Sequence, residues 1–205
     1  MPHETSFADP TKITSAAEAA QKMNEVVDGI AAELYGLSTM LAGEGEESVQ
    51  LVEKAVAEAE VSACQNPIAA RNTSRRALCR EAVSYLAARD AASFAAPAEG
   101  EKSCGCCLGE DEMESAGVSQ KELSSMLAGP ERIRVRQWLS QLLPALRVVF
   151  VLRAVAGYDP QKTAEMLVSY GGPQAAGWTA DAVRHTFRQG LCSLTSQLLH
   201  ATAKK

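Results

Sequence analysis

Apolar residues recur at three- and four-residue spacing along the first part of the chain, which is the period of an amphipathic helix. The clearest stretch, residues 15–41, predicts one helix or a helix pair. Its apolar positions are Met23, Val26, Val27, Ile30, Leu34, Leu37 and Leu41. Two shorter stripes predict helices over residues 46–63 and 73–89. The Asn66-Pro67 pair between them predicts a break, because the residue before a proline disfavours helical backbone angles.

The second half of the chain carries the same period. Helices are predicted over residues 131–142, 144–157, 161–168 and 179–200, with a glycine-rich loop over 169–177 before the last of them. In the first of these helices, the positions predicted to face a core are Ile133, Trp138, Leu139 and Leu142. A short helix, a turn and a longer helix are typical of the helix-turn-helix, in which the later helix enters the DNA major groove.

The stretch between the two halves has no hydrophobic period and is rich in Ala, Pro, Gly, Ser and acidic residues, which predicts a flexible acidic linker. The predicted fold class is therefore all-α, with two helical domains. The predicted divisions are a tail at 1–14, a helical domain at 15–92, the linker at 93–129 and a helix-turn-helix domain at 130–205.

Charge is distributed unevenly between these parts. Residues 130–205 hold ten Lys and Arg against four Asp and Glu, a net charge of +6, so the first 129 residues carry −11 of the total of −5. The basic end suits phosphate, whereas the acidic end suits a basic protein partner or water. Neither a signal peptide nor a membrane-spanning stretch is recognisable, which predicts a cytoplasmic protein with no membrane partner.

A set of short motifs stands in a characteristic order in the second half. The motifs are Leu143-Pro144, Val151-Leu152-Arg153, Gly157 and Ala164-Glu165-Met166-Leu167, followed by Thr179 as a helix cap and then Val183-Arg184. This order resembles region 4 of the extracytoplasmic-function (ECF) sigma factors of bacterial RNA polymerase. The first half independently resembles region 2 of the same family, over residues 35–60 and 76–89, with Leu51-Val52-Glu53-Lys54 at a family motif.

The resemblance implies a transcription initiation factor that binds core RNA polymerase and directs it to promoter DNA, with an anti-sigma factor as a further possible partner. The chain departs from the family in several respects, one of which is that small residues or Glu60 replace large aromatic residues on the helix that carries Leu51-Val52. Gln50 replaces an aspartate, the loop at 169–177 adds about nine residues to the helix-turn-helix turn, and the last helix has fewer arginines. The alternative interpretation is a degenerate sigma-like regulatory module that does not initiate transcription.

The candidate DNA contacts on the last helix are Thr179, Asp181, Arg184, His185 and Arg188. Residues 181, 184, 185 and 188 share one helical face, as groove reading requires, and arginine suits bidentate contact with guanine or phosphate. A solvated basic face is the alternative. By resemblance, Arg76 and Arg80 of region 2 would contact separated promoter strands, although surface arginines that balance nearby acids would have the same pattern.

The candidate polymerase contacts, by resemblance, are Gln50, Leu51, Val52 and Glu53. Ordinary packing of the helix against its own core is the alternative interpretation for the aliphatic residues. Cys104, Cys106 and Cys107 cluster in the linker and favour a reactive loop; a metal-dependent or redox role is the weaker alternative, since no fourth ligand lies nearby. No enzyme motif occurs, so neither catalysis nor a cofactor is predicted.

Overall fold

A computed structural model of the chain describes residues 10–59, 66–97 and 132–202. These residues form α-helices and short 3-10 helices joined by turns, and no strand occurs within these ranges. The all-α prediction is therefore confirmed. Most of the predicted linker, including Cys104, Cys106 and Cys107, lies outside the described residues, as do residues 1–9 of the predicted tail.

Within residues 10–59 and 66–97, the first half forms three α-helices and one short 3-10 helix. They are α1 (Pro10–Ala42), α2 (Glu46–Glu58), α3 (Pro67–Arg89) and the 3-10 helix Ala91–Phe94. Helix α3 begins six residues before the predicted start. The Asn66 side chain accepts a hydrogen bond from the Ala69 amide at 3.0 Å, and Pro67 occupies the first helical turn. A proline is favourable there because its missing N–H has no intrahelical acceptor, so the predicted break is in fact a helix start.

Residues 132–202 of the second half form four α-helices and one short 3-10 helix. They are α4 (Arg132–Gln141), α5 (Pro144–Ala154), α6 (Pro160–Tyr170), the 3-10 helix Pro173–Gly177 and α7 (Ala180–Thr202). Trp138 and Leu139 are buried as predicted, but the prediction for Ile133 is wrong, because its side chain is 64% exposed. Val135 is buried instead, since it lies three and four residues before those two side chains and so shares their face.

The two halves pack together around one continuous apolar core. Helix α5 contacts α1 and α3, and α6 contacts α3. Hydrogen bonds from side chains to main-chain carbonyls cross the same contact. The Arg147 guanidinium donates to the Leu41 carbonyl at 3.0 Å, and the Trp178 indole donates to the Phe94 carbonyl at 2.8 Å. Buried N–H donors are costly without an acceptor, so these bonds orient one half relative to the other.

Two helical glycines with opposite surroundings provide a test of this packing. A Cβ at Gly36 in α1 would meet nothing within 4 Å, whereas a Cβ at Gly190 in α7 would lie 2.9 Å from the Phe150 ring. We expect Gly36→Ala to raise the free energy of unfolding by up to about 1 kcal/mol through helix propensity. We expect Gly190→Ala to lower it by about 1–3 kcal/mol through overpacking. Urea denaturation of both variants checks the prediction, and equal effects of the two substitutions would contradict it.

Candidate nucleic-acid interface

Helix α7 presents the predicted DNA-contacting residues on its solvent side. Its first turn is capped by Thr179, whose hydroxyl accepts a hydrogen bond from the Ala182 amide at 3.1 Å. The opposite side of the helix faces the core through Val183, Phe187, Leu191 and Leu194. Thr179, Asp181 and Arg184 are exposed, and His185 and Arg188 are half-buried. The period of the helix thus places all five predicted residues on or beside its outer face.

The outer face of α7 is only partly balanced by its own acids. Arg184 pairs with Asp181 at 2.5 Å, and these side chains are 53% and 91% exposed. An exposed pair of this kind contributes little to stability, so Arg184 can exchange its partner for a phosphate. His185 lies 3.0 Å from the Gln189 amide nitrogen. Arg188 has no acidic partner among the described residues, which leaves a positive charge available on this face.

The connection between α6 and α7 differs from the short turn of an ordinary helix-turn-helix. It runs over residues 171–179 and contains the 3-10 helix Pro173–Gly177, in which Ala175 is fully buried. Trp178 is 5% exposed, and its indole donates to the Phe94 carbonyl. This connection therefore attaches the start of α7 to the first half of the chain. Sequence reasoning missed Trp178, although a tryptophan in a glycine-rich loop is a signal that the loop is anchored.

The predicted polymerase contacts divide between the surface and the interior. Gln50 and Glu53 are exposed, Val52 is half-buried, and Leu51 is 2% exposed and packs in the core. Leu51 therefore supports α2 from inside and does not face a partner. On the outer side of α2, the predicted contact Val52 forms an apolar strip with Val49 and Val56, which were not among the predicted polymerase contacts and are 43% and 50% exposed.

Arg76 and Arg80 lie on a different surface from the outer face of α7. They line a cleft between α3 and α6, and none of the five α7 residues lines this cleft. Arg80 pairs with Glu58 at 3.1 Å and lies over the Tyr170 ring at 5.8 Å. Arg76 is exposed and has no acidic partner among the described residues. The structure therefore does not bring the two predicted sets of DNA contacts together.

Two titratable groups with raised pKa values lie at the cleft, the buried Cys79 beside it and the partly buried Tyr158 in its lining. Burial raises the pKa of the Cys79 thiol to about 12, and Arg75 opposes this only in part. Burial and the neighbouring Cys79 raise the pKa of Tyr158 to about 12. Both groups therefore remain protonated at neutral pH, and Cys79 is a structural thiol rather than a nucleophile. Within the described ranges, no three His, Cys, Asp or Glu side chains lie close enough together to hold a metal ion.

Helix α6 begins at a charged cap next to this cleft. The Asp159 carboxylate accepts a hydrogen bond from the Lys162 amide at 2.8 Å and pairs with the Lys162 ammonium at 3.1 Å. The bond from the amide, and after it the contact with the ammonium, lower the pKa of Asp159 below its usual range. The cap therefore remains ionised to a lower pH than an ordinary aspartate would, which stabilises the first turn of α6.

No protein-family model, curated protein or solved structure matches the chain. Among the described helices, none has an apolar stretch long enough to cross a membrane.

Proposed function

We propose that this chain is a sigma-like transcription initiation factor that binds core RNA polymerase and directs it to promoter DNA. The observation that carries the proposal is the outer face of α7. It follows a helix and a turn, it is capped by Thr179, and it presents Arg184 and Arg188 on its solvent side. A capped helix with two arginines on its accessible side suits the major groove, where guanidinium groups contact guanine and phosphate.

The outer side of α2 supports the polymerase part of the proposal. Gln50 and Glu53 flank the exposed apolar strip of Val49, Val52 and Val56. An apolar strip with acidic and polar neighbours suits docking on a basic, partly apolar protein surface. The same surface would also be available to an anti-sigma factor, which would then compete with the polymerase. We also propose that the chain has the predicted arrangement of two helical domains joined by an acidic linker.

A second candidate function is favoured by the packing of the two halves. The inserted turn before α7 is held by the bond from Trp178 to the Phe94 carbonyl, and Arg184 is paired with Asp181. A sigma-like module held in this closed form would bind protein partners without initiating transcription. The candidate redox or metal role of Cys104, Cys106 and Cys107 belongs to this alternative.

Capture of purified core RNA polymerase, followed by run-off transcription on genomic promoter fragments, distinguishes the two candidates. Core binding with specific transcripts supports the initiation factor. Core binding without transcripts supports the regulatory module. Failure to capture core polymerase at any protein concentration up to tens of micromolar would contradict both candidates.

A charge reversal on α2 tests the docking surface in the same assay. We expect Glu53→Lys to reduce capture of core polymerase by about tenfold, because a buried or half-buried charge contact contributes more than about 1 kcal/mol at an interface. Glu18→Lys, on an exposed position of α1, introduces the same change in net charge and serves as the control. An equal reduction in both variants would show that net charge, rather than the α2 surface, governs the binding.

A further inference from the structure

The cleft between α3 and α6 brings cationic and aromatic side chains together in one concave surface. Its volume is about 590 Å³. Helix α3 supplies one wall, and α6 with the loop before it supplies the other. The side chains that matter for binding are Arg75, Arg76, Arg80, Tyr158, Lys162 and Tyr170. The cleft is thus built jointly by the two halves of the chain.

Four cations and one acid line the cleft. The acid is Glu165, and the cations are Arg75, Arg76, Arg80 and Lys162. Glu33, Glu58 and Asp159 each pair with one of these cations, but none of the three lines the cleft. Glu165 and the three paired acids together balance the charge of the four cations. An anion would therefore be attracted by those cations that have no acidic partner or can exchange a weak one.

The individual cations differ in how readily they can accept a ligand. Arg75 has a structural role, because it donates to the Val155 carbonyl and lies 3.6 Å from Glu33. Arg76 has no acidic partner among the described residues. Lys162 is 67% exposed, and its pair with Asp159 at 3.1 Å is correspondingly weak. Arg76 and Lys162 are therefore the groups most available to phosphate oxygens. The planar guanidinium of Arg76 can donate two parallel hydrogen bonds, and the ammonium of Lys162 offers a compact positive charge.

The same cleft contains a flat surface on which an aromatic base could stack. The Arg80 guanidinium lies 5.8 Å from the centre of the Tyr170 ring, and both line the cavity. Nucleic-acid bases stack on tyrosine rings and on guanidinium planes. The volume of about 590 Å³ also falls in the range of small-molecule sites, whereas a strand-binding groove must extend along several nucleotides.

We propose that the cleft binds a nucleoside polyphosphate, with the phosphates on Arg76 and Lys162 and the base against Arg80 and Tyr170. Because Arg76 and Lys162 come from different halves of the chain, the bound ligand bridges them and stabilises their contact. This site is independent of the outer face of α7, so it exists whether or not the chain contacts promoter DNA.

Isothermal titration calorimetry of the full chain with ATP and with GTP, in the absence of divalent cations, tests the proposal. We expect saturable binding of at least one of the two nucleotides and no binding of adenosine or guanosine, which lack the phosphates. Arg76→Gln should weaken the binding by about tenfold or more, since it removes a charged hydrogen-bond donor. Arg76 is exposed and has no acidic partner among the described residues, so this variant should fold normally, as its melting temperature will show.

The control is Arg71→Gln, because Arg71 lies on the same helix, pairs with Glu33 at 3.3 Å and does not line the cleft. Arg188→Ala, on the outer face of α7, should also leave nucleotide binding unchanged, which separates this test from that of the proposed function. Absence of saturable binding at millimolar ATP and GTP would overturn the proposal. So would equal weakening by Arg71→Gln, or a single-stranded oligonucleotide that binds the cleft more tightly with increasing length.

Discussion

Replacement of Phe150 by alanine is expected to lower the free energy of unfolding by about 3–5 kcal/mol, the range for a buried aromatic side chain. The Phe150 ring is fully buried in α5. It meets Trp138 of α4 edge-on, with ring centres 4.8 Å apart, and Phe187 of α7 at 5.6 Å. Its removal would therefore leave a cavity where three helices meet, and it would also remove two aromatic contacts.

Urea denaturation followed by circular dichroism measures this effect. The matched control is Ile133→Ala, a large apolar residue of α4 that is 64% exposed. Because little apolar surface is buried at Ile133, we expect its replacement to change the free energy of unfolding by less than about 0.5 kcal/mol. The opposite ranking of the two variants would mean that α4 is rotated about its axis relative to the core.

The double variant Arg184→Ala/Arg188→Ala is expected to reduce promoter-directed transcription by at least about tenfold, because each arginine contact with DNA contributes about 1–3 kcal/mol. Both substitutions lie on the solvent side of α7, away from the apolar face that packs in the core. The melting temperature should therefore remain unchanged. Capture of core polymerase should also be unchanged, because α2, and not α7, carries the proposed docking surface.

The salt dependence of promoter binding by the polymerase complex provides the second measurement for this variant. If both arginines contact phosphates, the slope of log affinity against log salt should become less steep by about 2. Arg89→Ala is the control, since Arg89 is 60% exposed on α3 and its replacement removes the same kind of charge elsewhere. A double variant with full transcription and an unchanged slope would show that the outer face of α7 does not contact DNA.

Helices with long, regular apolar stripes could be predicted from the sequence, because local periodicity and local capping determine where they form. Residues Ile30 to Leu41 of α1 illustrate this, since the predicted apolar positions Ile30, Leu34, Leu37 and Leu41 are all buried. The start of α3 was predicted six residues too late, because a proline breaks a helix when it lies inside one but is favourable in the first turn. Only the hydrogen bond accepted by the Asn66 side chain distinguishes these two cases.

The candidate sites were less predictable, because they depend on which helices become neighbours. Periodicity places Arg184 and Arg188 on one face, and the structure agrees. Periodicity contains no information that Arg76 and Arg80 face α6 across a cleft, since that contact joins residues about 90 positions apart. Leu51 illustrates the same limit, because an aliphatic residue beside exposed polar ones can face either a partner or its own core.

Three hydrogen bonds across the contact between the two halves have main-chain carbonyls as their acceptors. Arg147 bonds to the carbonyl of Leu41, Trp178 to that of Phe94, and Arg75 to that of Val155. A carbonyl oxygen is present whichever residue occupies its position, so the acceptor side has no side chain that must change when the donor changes. Correlated substitution across these three hydrogen bonds should therefore be weak in related sequences, and contact inference from covariation would detect the apolar packing between the halves more readily than these bonds.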